Sequence, residues 1–150
     1  MPRLVDLYPY RFIEDTPQFF VAKRAKNKMY AGQWRMVGGK VKPGETAWQA
    51  ALRELNEELS VDPERFWSPP TLNQFYEPST DMIHQIPVFA AELNRAPDIR
   101  LNEEHTRYKW ITIDKAEHYI YWPEQRRILR FIHDILLSKA IIEDWEIPIH

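Results

Sequence analysis

All four glycines of this 150-residue chain fall within thirteen residues, from Gly32 to Gly44, and none occurs elsewhere. A globular chain of this length carries about ten. Glycine is the residue that reaches left-handed conformations and lets a backbone approach another group closely. Most turns must therefore be made with polar residues or with the twelve prolines spread from Pro2 to Pro148. Backbone freedom is concentrated in one short stretch, and the chemistry is expected there.

The rest of the composition narrows the setting. With 44% hydrophobic and 13% aromatic residues, the chain is too apolar to be disordered. Its length predicts one domain over residues 1–150 with a core of its own. No apolar run approaches the roughly 18 residues that span a bilayer. The start, Met1-Pro2-Arg3-Leu4-Val5-Asp6, lacks the apolar stretch of a secretory signal. The absence of cysteine excludes disulfides, thiolate metal sites and cysteine nucleophiles, and fits the cytoplasm. A net charge of −2 argues against coating nucleic acid or an anionic membrane. Locally the charges separate. Ala22 to Lys42 holds seven basic residues and no acid, whereas Glu45 to Glu64 holds six acids and one arginine. Charge alone leaves two readings, a pair of solvated surface segments or a site for a polyanion.

Strands are expected at Leu4–Ile13 and Gln18–Arg24, joined by a Glu14-Asp15-Thr16-Pro17 turn, and at Trp34–Val37 running into Gly38-Gly39. Asn27–Gly32 reads as a loop. Further strands are expected at Leu72–Tyr76, at Ile83–Leu93 with Pro87 marking an edge or bulge, and at Tyr108–Ile113. Thr46–Leu59 is the clearest helix: Thr46 and Gln49 have capping-box spacing, and Trp48, Ala51, Leu52, Leu55 and Leu59 line one face. A short helix is expected over Asp114–Tyr119. A longer one opens at Pro123, with Ile128, Leu129, Ile132, Ile135 and Leu136 on its apolar side. The apolar tail, Ile141–His150, has two candidate partners, its own core or a second copy in a homodimer. Strands and helices in this order argue for a mixed sheet packed between helices, an α/β fold.

The helix after the glycines carries Glu54, Glu57 and Glu58 at i, i+3 and i+4, on one face. Arg53 is placed to pair with Glu57, which leaves Glu54 and Glu58 available. Hard divalent cations make such clusters favourable, although an acidic helix face alone is usually just solvated. The surrounding spacing decides between these. From Gly39, Glu45 follows after five residues, Arg53-Glu54 after seven more, and then Leu55, Glu57-Glu58, Ser60 and Val61. This resembles the 23-residue Nudix box over Gly39–Val61, with Ser60 standing where that family usually has glycine. Ser60 in a left-handed cap costs about 1 kcal/mol and touches no ligand.

The resemblance implies a Nudix-type α/β/α sandwich with a mixed sheet, and a hydrolase that needs Mg2+ or Mn2+. By resemblance, Glu54, Glu57, Glu58 and the Gly38 carbonyl are metal ligands, Arg53 positions a glutamate, and Glu45 supports from behind. Arg24, Arg35 and Lys40 of the basic run are the preferred contacts for substrate phosphates. The stretch Asn102-Glu103-Glu104-His105-Thr106-Arg107-Tyr108-Lys109-Trp110 is similar to the branch containing dATP and dihydroneopterin triphosphate pyrophosphohydrolases. It makes Glu104 a further metal ligand or general base. Similar segments occur in dinucleoside tetraphosphate and nucleotide-sugar branches. The expected substrate is a nucleoside triphosphate, with those two classes as alternatives and a non-catalytic nucleotide sensor as a third. Retention of all box carboxylates, and no appended DNA-binding segment, argue against the sensor. The five histidines show no metal spacing; His133 is expected at the surface, and His105 is open between the site and a neighbouring strand. Tyr8, Tyr10, Phe12, Trp34, Phe75 and Tyr76 are candidates for stacking on a base.

Overall fold

A computed structural model describes residues 3–150. Met1 and Pro2, where the segment read for a signal sequence begins, lie outside the described residues. β1 (Leu4–Ile13) and β2 (Thr16–Arg24) form a hairpin. Its turn is only Glu14-Asp15, shorter than expected, because Glu14 takes a left-handed conformation (φ 56°) without being glycine. The two strands pair only from Tyr10↔Phe19 to Ile13↔Thr16 and then part. The glycine-bearing segment fills the gap. β3 (Trp34–Arg35) pairs with β2, and β4 (Val37–Lys40) pairs with β1. The single strand expected here is thus two, because Met36 turns into the core as the chain crosses from one partner to the other.

β5 (Arg65–Trp67) and β6 (Leu72–Glu77) both pair antiparallel with β7 (Met82–Glu92). β7 in turn runs parallel to β1, Asp6↔Val88 through Tyr10↔Glu92. Pro87 sits one residue before that ladder begins, so its missing N–H interrupts no pairing with β1. β8 (His105–Ile111) closes on β2 with a bulge at Lys23/Arg24. The sheet is mixed, as expected.

Strand alternation divides the core in two. Val5 and Leu7 of β1, with Phe20 and Ala22 of β2, face α1 (Ala47–Leu59), which buries Ala50, Ala51, Leu55 and Leu59 against them. Tyr8, Tyr10, Phe19 and Val21 point the other way. α2 (Ala116–Tyr119) follows a 3-10 turn, and α3 (Pro123–Leu137) covers this second face with all five apolar residues read from its period. Each such fully buried side chain contributes roughly 1.5–3 kcal/mol relative to exposure. Helices on both sides of the mixed sheet give the expected α/β/α sandwich.

Three local expectations are corrected. β5 was not read from the sequence, since three residues between Pro63 and Pro69 are too few to show a period. His133 is half-buried rather than on the surface, its ring 6.3 Å from that of Phe19. β8 starts at His105, not Tyr108, which brings the preceding acids to the edge of the sheet. The tail lies on its own core. Trp145 stacks on Trp67 at 6.3 Å, the Ile147 N–H donates to the Phe66 carbonyl at 2.9 Å, and Ile147 and Ile149 pack on the α1-side cluster.

Candidate active site

The glycine-rich strand and the start of α1 are held together by one side chain. The Arg53 guanidinium donates to Glu45 through Nε (2.8 Å) and Nη2 (3.1 Å), to Glu54 through Nη1 (2.9 Å), to Glu57 through Nη1 (3.1 Å), and to the Lys40 carbonyl through Nη2 (2.8 Å). A planar fork with five donors suits this better than a lysine would. Arg53 was expected to engage Glu57 and leave Glu54 available; it engages both, because its fork reaches its neighbour as well as the next turn. The helix start is fixed separately: the Gln49 N–H donates to Thr46 Oγ1 at 3.3 Å, and the Thr46 N–H to Gln49 Oε1 at 2.9 Å.

Gly39 explains why this stretch needs glycine. A Cβ there would collide with the Glu54 carboxyl. At Gly38 a Cβ would press on the Val5 carbonyl at 3.1 Å. Gly44, at φ 84°, supplies the turn into the helix. Ser60 takes the left-handed cap (φ 60°), with its N–H on the Asn56 carbonyl at 2.8 Å.

Glu58 is the most buried carboxylate of the helix, 2% exposed, and its Oε2 has no hydrogen-bond partner among the described residues. Burial first, then the Glu104 and Glu54 carboxylates, push its pKa up to about 10. Burial likewise raises Glu54. Across from Glu58, at the β2–β8 bulge, stand Glu104 and His105. The Asn102 side chain fixes Glu104 by accepting from its N–H at 3.0 Å. That residue was missed in the sequence, although its spacing of two is that of an Asx turn. His105 is buried, and its Nδ1 lies 3.8 Å from Glu58 Oε1, too far for a hydrogen bond. Burial, then Arg24 and Arg35, push the imidazole down to about 4. One donor atom each from Glu58, Glu104 and His105 lie within 4.8 Å of one another. A buried oxygen without a partner, beside further carboxylates, is a donor set that a hard divalent cation satisfies.

The basic run divides. Arg24 and Arg35 direct charge at the Glu58–His105 cluster. Arg24 is braced by the Met29 carbonyl at 3.2 Å, and Arg35 lies over the Tyr30 ring at 4.6 Å. Lys40 is exposed, and its backbone carbonyl serves Arg53. Glu57 is half exposed, with Lys42 at 4.0 Å. Of the proposed stacking aromatics, Tyr8 and Tyr10 are fully buried in the core, whereas Phe75 and Tyr76 are exposed. A second polar group, unread in the sequence, lies on the α3 face near Gly38. Asn73 donates to Asp6 at 2.7 Å and Gln125 donates to the same oxygen at 3.5 Å.

Comparison with known proteins gives this geometry a setting. The NUDIX domain family matches residues 10–132. The chain is 31% identical over 99 residues to the asymmetrical bis(5'-nucleosyl)-tetraphosphatase of Caenorhabditis elegans, covering 65% of this chain and 71% of that protein. It is 29% identical over 108 residues to the nucleoside triphosphatase NudI of Enterobacter sp. (strain 638), covering 67% and 77%. In fold it is similar to a C. elegans Ap4A hydrolase binary complex, with a TM-score of 0.76 at 24% identity over 92% of this chain and 99% of that one.

Proposed function

This chain belongs to the NUDIX domain family, and on that premise we propose that it hydrolyses a nucleoside triphosphate, dATP-like, to the monophosphate and pyrophosphate. It is a hydrolase of phosphoric anhydride bonds. The observation that carries the reading is the buried Glu58 carboxylate, whose Oε2 lacks a partner among the described residues, set beside Glu54 and Glu104. We assign Glu54, Glu57, Glu58, Glu104 and the Gly38 carbonyl to holding divalent cations, Mg2+ or Mn2+. Bound cations neutralise phosphate charge and lower the pKa of an attacking water.

The chain's own groups do the rest. Arg53 holds Glu54 and Glu57 in place and ties the Gly39–Glu45 loop to the helix. Glu104, held by Asn102 at both its N–H and its Oε2, takes the cation through one carboxylate oxygen and leaves the other to accept the proton of the attacking water. Arg24 and Arg35 receive the phosphates, and exposed Lys40 contributes charge at the rim. A small-molecule nucleotide is the only partner this chemistry requires.

The C. elegans relative favours a second reading, in which the substrate is a dinucleoside tetraphosphate. Incubation with a panel of triphosphates, diadenosine tetraphosphate and nucleotide sugars, with Mg2+ and Mn2+ in turn, separates them by product. Release of pyrophosphate from a triphosphate supports the first reading. Cleavage of the tetraphosphate alone replaces it with the second.

A further inference from the structure

His105 belongs to no part of the Nudix box, yet the fold carries it to the same point as the box glutamates. It opens β8, opposite Arg24 at the bulge in β2, and a bulge re-aims the side chains beside it. The imidazole is buried against Glu58, both side chains 3% exposed. Two buried atoms there lack a partner among the described residues, Glu58 Oε2 and His105 Nδ1. Leaving a buried polar atom unsatisfied is costly, so each of the two calls for a partner. Nδ1 stands 3.8 Å from Glu58 Oε1, beyond hydrogen-bond reach, and the three donors of Glu58, Glu104 and His105 lie within 4.8 Å. Bonds of about 2.0–2.2 Å to one ion separate its donors by roughly 3 to 4.4 Å. The spacing is therefore wrong for a contact between the side chains and close to what a shared ion requires.

Resting on the reading of this site as a cation site, we propose that His105 Nδ1 is a third protein ligand, with Glu58 and Glu104, to one cation. A nitrogen donor changes which ion the site prefers. Mg2+ takes oxygen ligands and keeps its waters, whereas first-row transition cations accept imidazole readily. His105 thus makes this position selective for a transition cation over Mg2+, while Glu54 and Glu57 remain an all-oxygen set.

The test uses Mn2+ as both ion and probe. Electron spin echo modulation of Mn2+ bound to the full chain reports nitrogen bonded to the metal, and labelling only histidine with 15N identifies its source. The expected result is one imidazole coupling that changes isotope with the label and disappears in His105→Asn and His105→Ala. Direct titration should show the Mn2+-over-Mg2+ preference falling about tenfold in both variants. Bound Mn2+ without histidine coupling in the wild type overturns the inference and leaves the cation site standing. A coupling that survives in the His105 variants also overturns it. If no Mn2+ binds at all, the cation reading fails with it. The wild-type spectrum decides even where a variant folds poorly.

Discussion

Arg53 and Glu45 meet through two parallel bonds, Nε to Oε2 at 2.8 Å and Nη2 to Oε1 at 3.1 Å. Eight residues of sequence and the entry turn of α1 separate them. Glu45 Oε1 also accepts from the Lys42 N–H at 2.8 Å, so this one carboxylate joins the loop to the helix. Replacing Arg53 with Ala removes every bond its guanidinium makes and leaves Glu45 only the Lys42 N–H. Arg53 and Glu45 are each 20% exposed, so screening reduces the value of the pair. A loss of about 2 kcal/mol is expected. Activity should fall further than stability does. Arg53→Lys should restore little, because an ammonium cannot grip Glu45 with two parallel bonds. Denaturant melts and kcat on the two variants check both statements.

Gly39→Ala and Gly32→Ala should behave oppositely. At Gly39 a Cβ collides with Glu54, so the carboxylate moves and activity falls on the order of 100-fold for a displacement near 1 Å. At Gly32 a Cβ meets nothing within 4 Å, and the cost is the left-handed φ of 80°, about 1 kcal/mol. Equal activities in the two variants would contradict the close approach at Gly39.

Ser60→Gly should stabilise the protein. Glycine removes about 1 kcal/mol of strain at φ 60°. Some of that is offset by added freedom of the unfolded chain and by loss of the 3.3 Å bond from Ser60 Oγ to the Arg100 carbonyl. A net gain of about 0.5 kcal/mol is expected, with unchanged kcat. A fall in Tm would mean that the Arg100 bond outweighs the strain.

The metal-free protein should lose stability as pH rises. Glu58, with its folded pKa raised to about 10 from an ordinary 4.5, binds more protons folded than unfolded between those values. Its contribution is present below pH 4.5 and is lost through pH 10. His105, lowered to about 4 from 6.5, works oppositely and only between those values. Above pH 6.5 His105 no longer opposes the Glu58 slope, and Glu54 and Asp6, both raised by burial, act in the same sense. Tm in a chelator should therefore fall from pH 6.5 to 9, and Mg2+ or Mn2+ should restore it at pH 9. In Glu58→Gln the slope should flatten. A chelated wild type whose Tm is flat over that range would contradict the burial argument.

The same Glu58→Gln variant separates a catalyst from a sensor. Removing the charge should cut turnover by about two to four orders of magnitude, while the fold persists, since a neutral amide suits the buried position. Retained turnover would remove Glu58 from the chemistry.

The box was legible because its spacing is local. Glu54, Glu57 and Glu58 share a face by helical geometry, Thr46 and Gln49 form their cap as read, and the crowding at Gly39 follows from a glycine facing that helix. The apolar faces of α1 and α3 were likewise periodic, and packing buried the residues that the period marked. β5 was hidden because three residues carry no period. The split at Met36 was hidden because it depends on β1 and β2 parting, which nothing within Trp34–Val37 encodes.

By itself, then, the sequence determined the class of fold, the helix that bears the carboxylates and the reason glycine is confined to one stretch. Each of these is a relation between residues fewer than about twenty positions apart. Only the tertiary structure decided that Asn102 orients Glu104, that Arg53 also takes Glu54, and that His105 stands 3.8 Å from Glu58 across forty-seven residues of chain. The first two are choices of side-chain geometry between near neighbours that no spacing fixes, whereas the approach of His105 to Glu58 arises where β8 bulges against β2 beside α1, and strand register is set by the whole sheet rather than by any segment of it.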